Sequence, residues 1–364
     1  MNLKQARWEP ERANQWHRQL GWQCGFNYLP RTAVNFVDMW LSDRFDLRLI
    51  RQELSWARQV GFNSVRTNLP FVVWQHDRDG LMLRVDQFLA VASELGLSVV
   101  LCPLDDCEFS GDDPVFGPQS APQSGVHNSR AVGSPGRRRV MDADSHAVVG
   151  DYVADVLTTF GLDHRVVLWD LYNEPGNRMI FTADGEYEYD QRLETMAMDL
   201  LETAFIRARS CAVQQPITVA AWHMPAPWQP TPRPFYQHPL DQAAFAWSDV
   251  ISFHAYREPA IMQAVIDQLS AAGRPMLCSE WMARHVDSTI ENQLPLLHER
   301  EVHCHQWGLV QGAIQTHLPW PEVSRQQRAT EQTSYDWFHD ILQPDGSPRY
   351  PQEAAVIQRL TTRP

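Results

Sequence analysis

The chain has 364 residues, with 31 Lys and Arg against 44 Asp and Glu, giving a formal net charge of −13. Hydrophobic residues make up 44% and charged residues 21%, a globular composition that excludes a disordered or fibrous chain. This charge repels polyanions, so nucleic acid and anionic membrane are excluded as partners unless a local basic patch exists. The one dense basic run, Arg137-Arg138-Arg139, sits in a Gly/Pro-rich loop and is too short to form such a patch. A neutral or cationic small partner fits better. Fourteen Trp against fifteen Phe and nine Tyr is rich in indole, which serves either as core filler or as flat apolar platforms.

The first sixteen residues, MNLKQARWEPERANQW, are polar and lack the apolar stretch of a secretory signal. No run is long enough to span a bilayer. The six cysteines, at 24, 102, 107, 211, 278 and 304, are scattered through apolar segments and read as reduced thiols. A cytoplasmic protein is expected, and the sequence leaves its oligomeric state open.

In chain order, after an N-terminal helical extension over 1–20, the first strand is predicted at Trp22–Tyr28 and a helix at Asp46–Val60. The pairs that follow are Asn63–Thr67 with Arg84–Leu95, Ser98–Pro103 with Ala147–Phe160, and Arg165–Tyr172 with Tyr189–Arg209. The fifth strand, Pro216–Trp222, is followed by a weak helix before Trp247. Then come Val250–Tyr256 with Ala260–Ala272, Pro275–Glu280 with Glu291–His303, and a last strand at Leu309–Thr316. Several strands are nearly continuous apolar runs, as expected for parallel strands covered on both faces. Gly61, Gly96, Gly161 and Gly273 each follow the last apolar residue of a helix, where C-caps fall. This rhythm predicts an α/β fold, a (β/α)₈ TIM barrel, as a single domain over 1–364 with no linker or internal repeat.

Helix-to-strand turns are short, and several strand-to-helix loops are long. The loop 105–145 has 41 residues with five Gly and four Pro, and is expected to lie over the active-site face. The fifth loop, 223–239, is rich in Pro and aromatics, and the eighth runs from His317 past Trp320. In barrels of this class such loops surround the site at the C-terminal ends of the strands.

Strand four closes as Trp169-Asp170-Leu171-Tyr172-Asn173-Glu174-Pro175, an apolar run ending in an amide and a carboxyl before a proline stops the ladder. Strand seven ends in Cys278-Ser279-Glu280-Trp281. Two carboxyls facing one another across a barrel mouth are what glycosidic cleavage requires. One is held protonated to donate to the leaving oxygen, and the other is ionised to attack or to activate water.

Asn173-Glu174-Pro175 and Ser279-Glu280-Trp281 resemble the two signatures of the retaining β-glycoside hydrolases built on (β/α)₈ barrels, and most nearly the cellulase/mannanase-like family 5. The resemblance spans essentially the whole barrel and implies Glu174 as general acid/base and Glu280 as nucleophile. It further implies Arg66 as the cation beside the nucleophile, His254 near the acid/base, Tyr256 near the nucleophile, and Asn173 on the sugar 2-hydroxyl. The family's strand-eight Trp, the floor of the sugar subsite, is matched nearest by Trp320. Strand three departs from the family, reading Pro103-Leu104-Asp105-Asp106 where a His is common. Asp105 or Asp106 would then bind sugar hydroxyls, with His127-Asn128 as a replacement imidazole. Asn27, Trp281, Arg284 and His317 are further candidates at the rim, and at least two of Trp74, Trp222, Trp228, Trp281 and Trp320 are expected in the cleft as stacking platforms.

No HExxH, GxGxxG or GxxxxGK[ST] occurs, and His303-Cys304-His305 lacks a third partner, so neither metal nor cofactor is expected. The reading is a retaining β-glycosidase of neutral β-linked oligosaccharides, exo-acting or working on short chains, β-mannosidase- or β-glucosidase-like. An endo-acting β-glucanase, mannanase or xylanase is the alternative, and a transglycosylase would use the same residues. A non-catalytic carbohydrate-binding barrel is the rival from another class.

Overall fold

The structure is a computed structural model and describes residues 1–330 and 334–362. Its centre is a ring of parallel strands: β1 Cys24–Asn27, β2 Ser64–Asn68, β3 Ser98–Cys102, β4 Val166–Asp170, β6 Ile251–His254, β7 Met276–Glu280 and β8 His303–Trp307. The fifth position, β5, is a strand interrupted at Val219. Its first half, Ile217–Thr218, pairs with β4, and its second half, Ala220–Ala221, pairs with β6. β8 pairs with β1, which carries the ladder round the barrel.

An outer ring of helices follows the strands in turn. These are α1 Leu47–Val60, α2 Phe71–Glu94, α3 His146–Phe160, α4 Arg192–Arg209, α5 Pro239–Trp247, α6 Pro259–Ser270, α7 Ile290–Glu299 and α8 Pro351–Thr361. Their ends follow local chemistry. The Asp46 carboxylate caps the first amides of α1, Thr289 and Asn292 form a capping box on α7, and Pro opens α5, α6 and α8. Gly61, Gly96 and Gly273 take the left-handed conformation expected after a helix, but Gly161 remains at φ −67. There the chain turns without a reversal of φ.

The barrel interior changes character from bottom to top. At the bottom, Val100, Leu168, Val250 and Leu277 form an apolar layer, and Trp16 of the N-terminal helix Pro10–Leu20 packs against it. Above it the interior is polar. The His305 ring fills the space beside Gly25, where a Cβ would lie 2.5 Å from the imidazole, and its Nε2 meets Ser64 Oγ at 2.8 Å.

Two elements depart from the sequence reading. β8 is His303–Trp307, not Leu309–Thr316, because its buried His, Gln and Cys side chains face a polar interior and give no apolar run. The helix before it therefore ends at Glu299. Helix α2 begins at Phe71 rather than Arg84 and bends at Asp77, whose φ of −147 is non-helical.

The long loops are ordered into structure of their own. After β3 the chain adds Leu104–Asp105, which pairs in parallel with Tyr172–Asn173 after β4. The loop after β4 then forms an antiparallel hairpin, Met179–Thr182 with Gly185–Glu188, that periodicity does not reveal.

Candidate active site

Arg66, near the end of β2, is the electrostatic centre of the barrel mouth. Its guanidinium is fully buried; Nε donates to Asp170 Oδ2 at 3.0 Å, Nη1 to Asn27 Oδ1 at 2.6 Å and Nη2 to Asn173 Oδ1 at 2.7 Å. Burial alone disfavours the cation, but the Asp170 and Glu280 carboxylates outweigh it and hold Arg66 charged. Nη1 also lies 3.7 Å from Glu280 Oε1. The guanidinium thus puts a fixed positive charge beside one carboxyl of the pair.

Glu280 ends β7, and Tyr256, just beyond β6, donates its hydroxyl to Glu280 Oε2 at 2.6 Å. A register shift in β6 between Phe253 and His254 sets His254 opposite Glu280. From there His254 Nδ1 reaches Glu174 Oε1 at 2.8 Å and Glu280 Oε2 at 3.8 Å. Glu174 itself has φ 44, the left-handed region that a non-glycine residue enters only at a cost. This turn aims its carboxyl into the cluster. Oxygens of Glu174 and Glu280, with a nitrogen of His254, lie within 4.8 Å of one another. Among the described residues, no other group of His, Cys, Asp and Glu side chains has metal-ligand spacing.

The two carboxyls differ in their partners. Burial raises the pKa of Glu174, but hydrogen bonds from His254, from Cys107 Sγ at 3.0 Å and from Asn177 Nδ2 at 2.6 Å outweigh it and bring the group below the usual value. Glu280 has one direct donor; burial and the Glu174 charge push it up to about 7. His254 is disfavoured as a cation by burial, yet the two carboxylates raise it above its ordinary value. Sequence reasoning expected Glu174 to be the raised carboxyl. Because three donors converge on Glu174 and only one on Glu280, it is Glu280 whose pKa is raised, and the titrations of Glu174, His254 and Glu280 are linked.

A cavity of about 590 Å³ lies over these groups. Trp222, Trp228 and Trp320 line it, as three of the five expected platforms, together with His127. Trp74 does not; its indole donates to Asp155 and packs on Tyr152 between helices. Nor does Trp281, which is buried in the main core.

Several rim candidates lie elsewhere. Asp105 accepts from Asn68, from Asn173 and from the Cys107 amide, Asp106 Oδ2 accepts from Tyr172 and the Gly176 amide, and neither carboxyl lines the cavity. Asn27 lies beneath the site, donating to the Ser279 and Gln306 carbonyls. Asn173 is beneath it as well, its amide nitrogen engaged by Asp105 and Cys107. Arg284 is a buried structural cation paired with Glu353 at 2.6 Å, and His317 packs near Trp337 away from the cavity.

Sequence reading passed over Cys107, Asn177, Trp307 and His339. Trp307 was hidden by the misplaced strand, since it ends β8 and lines the cavity. Asn177, three residues after Glu174, was legible only as part of a turn.

The roof over one side of the mouth is continuous. Phe109 of the third loop stacks on Phe181 of the hairpin with centroids 4.2 Å apart, and both join Cys107, Val126, Ala131, Met179 and Trp320 in a small apolar cluster. The third loop is tied to the eighth through the Asn128 amide to Ile314 and His127 to Leu318, and the hairpin to the eighth through the Glu322 amide to Glu186.

No family model matches this chain, and no curated protein matches it in sequence. Solved structures do. A variant of GH5_18 from Streptomyces cattleya, in complex with Manβ1-4GlcNAc, superposes with a TM-score of 0.61 at 17% identity, covering 93% of this chain and 80% of that one. The fold is that of family 5 glycoside hydrolases. An endo-1,4-β-mannanase from Rhizomucor miehei gives a TM-score of 0.57 at 12% identity, over 93% and 94% of the two chains. An exo-β-1,4-mannosidase from Opitutaceae bacterium strain TAV5 gives 0.55 at 15%, over 94% of this chain and 61% of that one. The mouth formed by Arg66, Glu174, His254 and Glu280 lies at the C-terminal ends of the strands of this barrel.

Proposed function

We propose that the protein is a retaining β-glycosidase, one catalytic barrel that removes a terminal neutral sugar from short β-linked oligosaccharides. The observation that carries this is the pair Glu174 and Glu280, with oxygens within 4.8 Å at the mouths of β4 and β7. A retaining reaction calls for carboxyls roughly 5–5.5 Å apart, whereas an inverting one needs room for a water at about 6.5–9.5 Å.

In the first step Glu280 attacks the anomeric carbon. Arg66 and the Tyr256 hydroxyl orient it and favour its ionised form against the burial that raises its pKa. The His254–Glu174 contact supplies the proton: with the hydrogen on the Glu174 side, the carboxyl donates to the departing oxygen. Covalent attachment removes the Glu280 charge. Glu174, now ionised, takes a proton from water as that water attacks the glycosyl ester, and the anomeric configuration is restored.

Exo-action is supported by the roof made from the third loop, the hairpin and the eighth loop, which closes one side of the mouth and leaves room for a terminal residue. Trp222 and the exposed Trp228 flank the other side, where an aglycone would lie. The structurally similar proteins named for β-1,4-mannosidic action make manno-configured substrates the first to test. The open Trp228 side also favours a second reading, an endo-acting cleft with further aglycone subsites.

A panel of aryl β-glycosides and short β-linked oligosaccharides, followed by NMR for the anomer first formed and by mass for product size, tests both parts. Initial formation of the β-anomer with single-sugar release is expected. The α-anomer would overturn retention, and mid-length products from soluble β-mannan would overturn exo-action.

A further inference from the structure

Two histidines in the cavity wall have no part in the double displacement: His127, from the third loop, and His339, beyond β8. Both line the cavity and both are buried. His127 Nδ1 lies 2.7 Å from the Leu318 carbonyl oxygen, and His339 Nδ1 lies 2.5 Å from that of Met282. A carbonyl oxygen only accepts, so Nδ1 bears the proton in each ring. Burial keeps both imidazoles neutral, pushing His127 down to about 4 and His339 well below its ordinary value. Each ring therefore carries a bare lone pair on Nε2. The Nε2 of His339 is buried without a partner among the described residues, a state that costs free energy until a hydrogen is supplied.

Their placement says what could supply it. The two ring centroids are 5.3 Å apart, a span within reach of hydroxyls on a single sugar ring. His339 is 5.6 Å from the ring of Tyr256, which holds Glu280, and 6.0 Å from Trp320. The pair thus stands one ring removed from the nucleophile, beneath the roofed side of the mouth.

We infer that His127 and His339 form a hydroxyl-accepting pair that reads two non-reacting hydroxyls of the terminal sugar and restricts that sugar to neutral residues with both hydroxyls free. The inference rests on the glycosidase reading and goes beyond it to specificity. Two adjacent lone pairs repel a carboxylate or phosphate, which excludes uronates and sugar phosphates there. An ether or ester at either position has no hydrogen to give, which excludes methylated and acylated sugars.

The test pairs four variants with the best aryl β-glycoside and its monodeoxy analogues. His127→Asn and His339→Asn retain an amide donor near Nδ1 but lack an acceptor at Nε2. His127→Gln and His339→Gln place an amide oxygen near Nε2 instead. Each Asn variant should lose about 10- to 100-fold in kcat/KM on the parent glycoside, and far less on the one analogue lacking its partner hydroxyl. Each Gln variant should recover part of the loss. Wild type should lose a similar factor on two of the analogues, which tests the pair even if an Asn variant fails to fold. Losses of equal size on every analogue, or a wild type indifferent to all deoxy positions, would overturn the inference. A wild type that turns over no aryl glycoside would instead overturn the glycosidase reading beneath it.

Discussion

The two ends of the barrel are built from the same strands and have opposite chemistry. At the bottom, Val100, Leu168, Val250 and Leu277 meet Trp16 in an apolar seal. At the top, Arg66, Asn173, Glu174, His254 and Glu280 form a buried polar network in which a few hydrogen bonds and ion pairs balance several charges. β7 contributes to both, with Leu277 in the seal and Glu280 in the network. The difference shows where the fold places stability and where it places reactivity. Burial at the bottom is favourable outright, while burial at the top is costly and is maintained because the charged groups support one another.

The sharpest way to break this contrast is at the nucleophile. Glu280→Ala should lower kcat by about 10⁴-fold or more, and added azide should restore turnover and yield the inverted glycosyl azide. A retained azide product, identified by NMR, would show that the roles of the two carboxyls are exchanged. Glu174→Ala should cost about 10²–10⁴-fold on substrates with poor leaving groups and little on activated aryl glycosides, which need no acid in the first step. A leaving-group series checks this directly.

At the other end the effect should be purely one of stability. Leu277→Ala should cost about 2–5 kcal/mol in denaturant unfolding, while kcat of the protein that remains folded stays unchanged. A smaller effect, of opposite sign, is expected at the top from Glu280→Gln. Burial and the Glu174 charge place the folded pKa of Glu280 at about 7, above its unfolded value of about 4.3. The folded state thus holds a proton that the unfolded state releases, and the stability this carboxyl retains at low pH is lost as pH rises toward 7. The Gln variant should melt roughly 2–4 °C above wild type at about pH 8, the gap closing by about pH 4. Least of all, Cys107→Ala removes one donor from Glu174, so the basic limb of the kcat/KM profile should move up by less than about one pH unit.

Much of this was legible in the sequence because its signals are local. The apolar runs at 98–102 and 166–170, and the glycines after the helices, mark strands and caps by residue type alone. Asn173-Glu174-Pro175 and Ser279-Glu280 stood out because polar groups end otherwise apolar strands. His303–Trp307 was passed over for the same reason in reverse, since a strand whose side chains fill a polar interior lacks the pattern that identifies strands. With it went Trp307, which ends that strand and lines the cavity alongside Trp320.

The sequence by itself determined the barrel and placed the two carboxyls at strand ends, because alternation of strand and helix fixes which residues reach one rim, and the family resemblance pointed to Arg66, His254 and Tyr256 beside them. Which carboxyl receives the hydrogen bonds was decided by tertiary structure, through Cys107 and Asn177 from separate loops. So was the withdrawal of Asp105, Asp106 and Arg284 from the cavity, and the joining of the third loop, the hairpin and the eighth loop into a roof. Each of these depends on partners distant along the chain, and a polar side chain is available to a ligand only if no other residue of the fold has already taken its hydrogen bonds.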